Sequence, residues 1–133
     1  MTNEEFNERF RKRKRDFAVR ILVLLSTMPH NSGSRIMAHQ LGKSATSVGA
    51  NFRAFCRARS KNERFAKICI VVEEADEAEY WLDLIAAMRY ANQSEIDLLM
   101  KEALEILKIV AKIKSSLSKL GVRWRKAKRR RRA

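Results

Sequence analysis

An apolar residue recurs every three or four positions between residues 99 and 120, and this spacing places all of them on one face of an α-helix. The stripe consists of Leu99, Ala103, Ile106, Val110, Ile113, Leu117 and Leu120. Such regular alternation suits helices whose axes pack nearly parallel, at crossing angles of about 20°. Further apolar residues flank the stripe, more than one packing seam requires, so the pattern also predicts a second partner surface outside the monomer.

Three earlier segments carry apolar stripes of the same period, and short segments rich in turn-forming residues separate them. The predicted helices span residues 3–27, 34–59, 61–90 and 94–120. The expected N-terminal caps are Thr2 with Glu5, Ser32 or Ser34, Ser60 with Glu63, and Ser94 with Asp97, and Gly121 is the expected C-terminal cap. The sequence therefore predicts an all-α protein, an up-down-up-down antiparallel four-helix bundle.

The second predicted helix has a strip of small residues that includes Gly42 and Gly49. A glycine inside a helix costs about 1 kcal/mol relative to alanine, so this pair indicates that another helix backbone approaches closely there. Arg53 and Arg57 share a different face, and residues 73–83 of the third helix form an acidic run. We expect these opposite charges to pair, within the chain or with a neighbouring subunit, and favour that role over catalysis by the carboxylates.

Positive charge is concentrated at the two ends of this chain of 133 residues, whose formal net charge is +14. Residues 122–133 contribute +8, residues 1–15 contribute +3, and all the residues between them contribute +3. Clustered Arg and Lys side chains neutralise phosphates, and the release of counterions then drives sequence-independent binding of nucleic acid. The charge distribution therefore predicts nucleic-acid binding through the chain ends.

The charge pattern divides the chain into a basic N-terminal arm at 1–15, a four-helix bundle domain at 16–121 and a disordered basic tail at 122–133. Arg13 and Lys14 interrupt the apolar stripe of the first helix, so we expect packing to begin near Phe17 and the arm to project outward. Trp124 in the tail is suited to stack on an unpaired base. The predicted nucleic-acid-binding residues are Arg11, Lys12, Arg13, Lys14, Arg15, Arg123, Trp124, Arg125, Lys126, Lys128, Arg129, Arg130, Arg131 and Arg132.

Four segments resemble the bacterial four helix bundle protein family, in the right order and at the right spacing. They are QLGKSATSVGAN at residues 40–51, CRARS at 56–60, EEADE at 73–77 and YWL at 80–82. The family includes proteins encoded in intervening sequences of large-subunit ribosomal RNA and the accessory variability proteins of diversity-generating retroelements. Many members carry a Glu-Ala pair shortly after the Asn, where this chain has Ala54 and Phe55. Its basic ends also exceed the usual pattern.

The resemblance implies a helical bundle assembled into a ring-shaped homo-oligomer, a homopentamer in the family. For the accessory variability members it further implies binding of RNA or DNA and of a reverse transcriptase through a basic surface. Opposite charges on the second and third helices suit head-to-tail contacts in a closed ring. The predicted subunit-interface residues are Arg53, Arg57, Arg59, Glu73, Glu74, Glu77, Tyr80 and Trp81.

Two other classes of function stay open. The alternative to nucleic-acid binding is a protein-interaction scaffold whose basic tails keep it in solution or contact acidic proteins. An enzyme would need a metal-holding pocket at the acidic run, but neither His30 nor His39 has the Glu-x-x-His spacing of di-iron bundles. No Gly-rich phosphate loop or nucleophile set is present. We therefore expect a non-catalytic accessory protein without cofactor or metal.

The sequence also predicts a cytoplasmic location without membrane contact. No apolar run approaches the roughly 20 residues of a membrane span, and the N-terminus lacks the apolar core of a signal peptide. Cys56 and Cys69 have no metal-type spacing, and we expect them to be reduced, buried thiols.

Overall fold

The computed structural model describes the backbone of residues 2–132 and the side chains of residues 2–120. Its four α-helices are α1 Asn3–Ser26, α2 Ser32–Cys56, α3 Lys61–Met88 and α4 Gln93–Arg132, and residues 2–132 contain no β-strand. Consecutive helices pack against one another, α2 against α3 most extensively, and α1 also packs against α4, least extensively of the four. The predicted all-α four-helix bundle is confirmed.

Each helix buries one apolar stripe in a shared core. The most enclosed side chains include Ile21 of α1, Leu41 and Phe52 of α2, Ile85 of α3 and Leu99 of α4. The intervals of three and four residues that predicted the helices also predict which residues are inside. Within the described residues, no helix is long and apolar enough to cross a membrane.

The helix starts are fixed by side-chain caps, and two of them differ from the sequence prediction. Thr2 and Glu5 form the expected capping box of α1, and the Ser60 hydroxyl accepts the Glu63 N–H at the start of α3. At α2, however, the cap is Asn31, whose side chain accepts the Ser34 N–H while the Ser34 hydroxyl accepts the Asn31 N–H. Asparagine is among the best N-terminal caps, so it displaces the serines that follow it.

The connection between α3 and α4 shows the same preference for asparagine. The Asn92 side chain accepts the Glu95 N–H at 3.1 Å, so Asn92, not Ser94, caps the first turn of α4. At its other end, α4 continues through Gly121 to Arg132, past the predicted end near residue 120. A single glycine costs only about 1 kcal/mol, and the Arg, Lys and Ala residues that follow are good helix formers. The separate tail domain stays a prediction.

Two ion pairs show that α1 and α4 run antiparallel. Arg13 of α1 contacts Glu102 of α4, and Arg20 contacts Glu95, so seven residues forward on α1 match seven residues backward on α4. The start of α1 therefore lies beside the later turns of α4 and not beside its first turn. The glycine strip of α2 faces α1, since a side-chain carbon added to Gly49 would lie 3.9 Å from the Lys14 carbonyl oxygen.

Packing of α1 begins earlier than the sequence predicts. Phe10 is buried, and so is Lys14, although a cation was expected to break the stripe and mark an outward-projecting arm. The spacing explains the burial, because Phe10, Lys14, Phe17 and Ile21 follow one another at intervals of four, three and four. The expectation that packing starts near Phe17 is therefore wrong.

Candidate nucleic-acid interface

The first turns of α1 and the corner between α2 and α3 lie at the same end of the bundle. The Phe10 ring meets the Phe52 ring edge to face, with centroids 5.1 Å apart, and Phe52 lies one turn before the end of α2. The Arg64 guanidinium, one turn into α3, lies over the Phe55 ring at 4.9 Å. An aromatic cluster thus joins three helices where the sequence places two separate groups of cations.

The corner carries a dense group of basic side chains that the sequence prediction did not assign to nucleic acid as a group. Residues 53–67 contain six Arg or Lys and one acidic residue. We call these six the basic corner: Arg53, Arg57, Arg59, Lys61, Arg64 and Lys67. All are exposed except Lys67, which is half-buried. Arginines in the last turn of α2 also complement the negative end of the helix dipole, so the charges fit the local fold.

The cations of α1 extend the basic corner along the same end. Arg9, Lys12 and Arg15 are exposed, and Arg11 is half-buried. Arg11, Arg57 and Arg64 all act on the Cys56 thiol: burial raises the pKa of Cys56, and these positive charges oppose that rise. Charges from three helices therefore converge on one surface, which we call the basic end; it comprises the basic corner and the exposed cations of residues 9–15.

Arg13 is the member of the predicted arm that is held in place. Its Nε donates to both carboxylate oxygens of Glu102 at 2.9 and 3.0 Å, and its Nη2 donates to one of them at 2.5 Å. Hydrogen bonding to Glu102 raises the pKa of Arg13. A guanidinium engaged by two oxygens in this way orients the helix more than it offers charge to a phosphate.

Lys14 cannot contact a ligand from its observed position. The residue is 0% exposed, and its ammonium nitrogen lies over the Phe10 and Phe52 rings. The prediction that Lys14 binds nucleic acid is therefore wrong for this conformation, because the residue occupies a core position of α1 and points inward. Eight basic residues and one tryptophan of the tail have side chains outside the described residues, so their predicted role stays a prediction: Arg123, Trp124, Arg125, Lys126, Lys128, Arg129, Arg130, Arg131 and Arg132.

The acidic residues of α3 form a separate strip, Glu73, Glu74, Asp76, Glu77, Glu79 and Asp83, farther along the helix. Among the described side chains, the ion pairs are Arg13–Glu102, Arg15–Asp16 and Arg20–Glu95, and none joins this strip to Arg53, Arg57 or Arg59. Pairing within the chain is therefore wrong, because α2 and α3 are antiparallel and the strip lies beside earlier residues of α2. Lys43, for example, acts on Glu74.

Local contacts hold the strip and the two aromatic residues next to it. Burial and the charge of Glu77 raise the pKa of Glu74, so this part of α3 is crowded with negative charge. The Trp81 indole N–H donates to Glu77 at 3.1 Å, and the Tyr80 ring packs against the Trp81 ring. Tyr80 is 56% exposed, which leaves it available for a contact outside the chain.

The remaining reactive residue types form no metal-holding cluster in the described part of the chain. No three His, Cys, Asp or Glu side chains among residues 2–120 are close enough to hold a metal ion. Cys56 and Cys69 are free thiols, and His30 and His39 are exposed. An open groove of about 520 Å³ lies between α1 and the turn before α4, and its lining includes Val19, Val23 and Tyr90. The basic end is thus the most distinctive surface of the bundle.

Comparison with known proteins agrees with this architecture. The sequence matches the family described as 23S rRNA-intervening sequence protein over residues 7–112. The crystal structure of a protein of unknown function from the S23 ribosomal protein family of Bacteroides thetaiotaomicron is similar, with a TM-score of 0.74 and 29% identity, covering 82% of this chain and 97% of that chain. No curated protein matches the sequence. Because the family match spans most of the chain, the protein belongs to the 23S rRNA-intervening sequence protein family.

Proposed function

We propose that this protein is a non-catalytic, cytoplasmic accessory protein that binds nucleic acid through phosphate contacts at its basic end. The observation that carries the proposal is the convergence of cations from α1, the end of α2 and α3 around Cys56. Arg57 and Arg64 are exposed there, and Arg11 is half-buried. Among the described side chains of the basic corner, none forms an ion pair. Cations without a carboxylate partner exchange small counterions for phosphates, and the release of those counterions drives binding.

Structured or single-stranded RNA is the class of ligand that we propose first. The name of the family refers to ribosomal RNA intervening sequences, and phosphate contacts by Arg and Lys recognise RNA without reading its bases. Sequence preference should therefore be slight. The resemblance to accessory variability proteins adds a reverse transcriptase of a diversity-generating retroelement as the proposed protein partner, for which this chain would be an adaptor.

A ring-shaped homo-oligomer, with five subunits by resemblance, is part of the same proposal. Several large apolar side chains are exposed on outer faces of the described bundle, namely Val19, Leu22, Val23, Ile36, Tyr80, Met88, Leu98 and Leu104. Arg53, Arg57 and Arg59, at and just after the end of α2, form no ion pair with Glu73, Glu74 or Glu77 of α3 within the chain. A neighbouring subunit that faces the strip with its own Arg53, Arg57 and Arg59 would satisfy both groups. The exposed cations of α1 and of the first turn of α3 then remain for phosphate contacts.

The proposed ring predicts that opposite charges act across the subunit interface. Glu73→Lys and Arg57→Glu should each shift the protein toward smaller species, and the double variant should restore the original size because the charges are exchanged. Light scattering at micromolar concentration measures the outcome. A stable monomer in the unaltered protein contradicts the ring, and failure of the double variant to recover contradicts this pairing.

Binding is tested by removing charge at the basic end and, as a matched control, at the far end. The test variant is Arg9→Gln, Lys12→Gln and Lys61→Gln; the control variant is Arg20→Gln, Arg35→Gln and Arg89→Gln, also exposed and with the same net charge. At about 0.1 M salt, the loss of three phosphate contacts should weaken binding to a single-stranded RNA on the order of 100-fold. The control should change affinity only slightly.

A protein-interaction scaffold is the second candidate, and the exposed apolar side chains on the outer faces of the bundle favour it. RNA binding that is absent, or equally weak in both triple variants, supports the scaffold and contradicts a local nucleic-acid site. Parallel titrations with a hairpin RNA and a DNA duplex establish which class of nucleic acid the basic end prefers.

A further inference from the structure

Lys14 is a fully buried amine without a hydrogen-bond partner. It is 0% exposed, and its Nζ atom lies 2.6 Å from the centroid of the Phe10 ring and 3.6 Å from that of Phe52. No described side chain or backbone group accepts a hydrogen bond from it. A lysine is almost never fully buried unless it is paired, so this residue needs a separate explanation.

The surroundings of Lys14 favour its uncharged form. Burial of an ammonium costs more free energy than its contact with an aromatic face returns. Burial therefore lowers the pKa of Lys14 to about 6. Three groups act on this site, Arg13 on α1, Cys56 on α2 and Glu102 on α4. From α3, Arg64 lies over the Phe55 ring, which stacks on Phe52. The one carboxylate among them is already bound by Arg13.

Besides this lysine, Phe10 is the one buried side chain among residues 2–15, the first turns of α1. Phe6 is 38% exposed and stacks on Phe10, and the Arg13–Glu102 pair is partly open to solvent. α1 also packs less extensively on α4 than any other helix packs on its neighbour. A terminal segment with few buried contacts opens locally, without unfolding the rest of the protein.

We propose that residues 3–15 form a proton-operated latch, which stays docked while Lys14 is uncharged and opens when Lys14 takes up a proton. Opening removes the charged amine from the aromatic cluster and places it in water, while the aliphatic core from Phe17 onward stays folded. If the proposed nucleic-acid function holds, the open latch adds Lys14 to the exposed cations at the basic end. The latch itself does not depend on that function.

Hydrogen–deuterium exchange of the full-length protein tests the latch without any ligand. A proton bound only in the open form makes the opening constant rise about tenfold for each pH unit that the pH falls, here between about 9 and 6. After correction for intrinsic exchange rates, protection of amides 6–14 should fall by about that factor per pH unit. Amides around Ile68 and Leu82 on α3 should keep their protection, since they report on global unfolding.

Two methionine variants separate the buried lysine from a general effect of charge. Lys14→Met keeps the length of the side chain and removes the proton site, so protection of amides 6–14 should no longer depend on pH. Lys12→Met removes an exposed charge from the same turn and should behave like the unaltered protein. Protection that is independent of pH in the unaltered protein, or that falls equally in α3, overturns the latch.

A final arm of the experiment adds a single-stranded RNA at a pH where the latch is closed. We expect the RNA to lower the protection of amides 6–14 in the unaltered protein and not in Lys14→Met. If RNA binds elsewhere or does not bind, that difference disappears while the pH dependence in free protein remains. The two failures are therefore distinguishable.

Discussion

The two ends of this bundle differ in the residue types of their cores and surfaces. At the end where α2 meets α3, the core contains phenylalanine rings around a buried amine, Lys14, and the surface is crowded with cations. Toward the other end, aliphatic residues such as Ile21, Leu41 and Ile85 fill the core. Apolar packing stabilises the fold independently of pH, whereas the buried amine makes the fold less stable at neutral pH than at high pH. The comparison teaches that stability is concentrated away from the proposed binding surface.

The aliphatic end should be the more sensitive to loss of volume. Ile85→Ala removes a fully buried side chain, and we expect it to lower the free energy of unfolding by about 2–5 kcal/mol. Urea denaturation followed by circular dichroism measures the change. Lys101→Ala, on the exposed face of α4, is the control and should stay within about 0.5 kcal/mol. A loss below about 1 kcal/mol for Ile85→Ala would contradict a tightly packed aliphatic end.

The aromatic end should gain stability when its amine is removed. Lys14→Met should raise the free energy of unfolding by about 2–4 kcal/mol at neutral pH, since folding then no longer requires Lys14 to lose a proton. The unfolded chain binds more protons than the folded one between the lowered pKa of about 6 and the ordinary value. Stability of the unaltered protein therefore rises with pH across that window, and the gain from Lys14→Met shrinks.

Denaturation series at several pH values measure this difference, with Lys12→Met as the matched control. An unchanged gap between Lys14→Met and the unaltered protein at all pH values would mean that Lys14 is charged in the folded state. The contrast between the two ends would then lie in the rings alone.

The acidic strip should show the smallest effect. Burial and Glu77 raise the pKa of Glu74, so the folded protein binds more protons here than the unfolded chain, and stability falls as the pH rises through that range. Glu74→Gln removes this loss and should stabilise by about 0.5 kcal/mol at pH 7, with no gain near pH 3. Thermal unfolding at both pH values measures it. Destabilisation at pH 7 would indicate that Glu74 has an attractive partner, as a subunit interface would provide.

Helices could be predicted from this sequence because each stripe repeats without a break longer than one turn. The caps were harder, since a serine and an asparagine compete within a few residues and the sequence does not rank them by geometry. The spacing of Phe10, Lys14 and Phe17 places Lys14 in the core, but the charge of a lysine argued against a core position. Spacing was the better guide, because the long apolar stem of a lysine can lie in a core when its amine is uncharged.

The basic end could not be predicted from local patterns. Its two parts, residues 9–15 and 53–67, are separated by about 40 residues and come together only because α1 runs antiparallel to α2. The predicted topology does imply that these two groups of cations lie close together. A bundle of four antiparallel helices places the N-terminus of α1 beside the connection between α2 and α3. The basic corner and the acidic strip do not pair because the register of α2 against α3 places them at different heights along the bundle. The composition of α2 and α3 does not reveal that register.

The most direct test of the proposed function is the salt dependence of RNA binding in three proteins. They are the full chain, the triple variant of Arg9, Lys12 and Lys61, and a chain truncated after Gly121. Each lost phosphate contact lowers the slope of log affinity against log salt by about 0.7–0.9. We expect the triple variant to lower the slope by about 2–3 relative to the full chain. The truncation should lower the slope by more than the triple variant does, without changing the oligomeric state. Equal slopes for the full chain and the triple variant would contradict binding at the basic end.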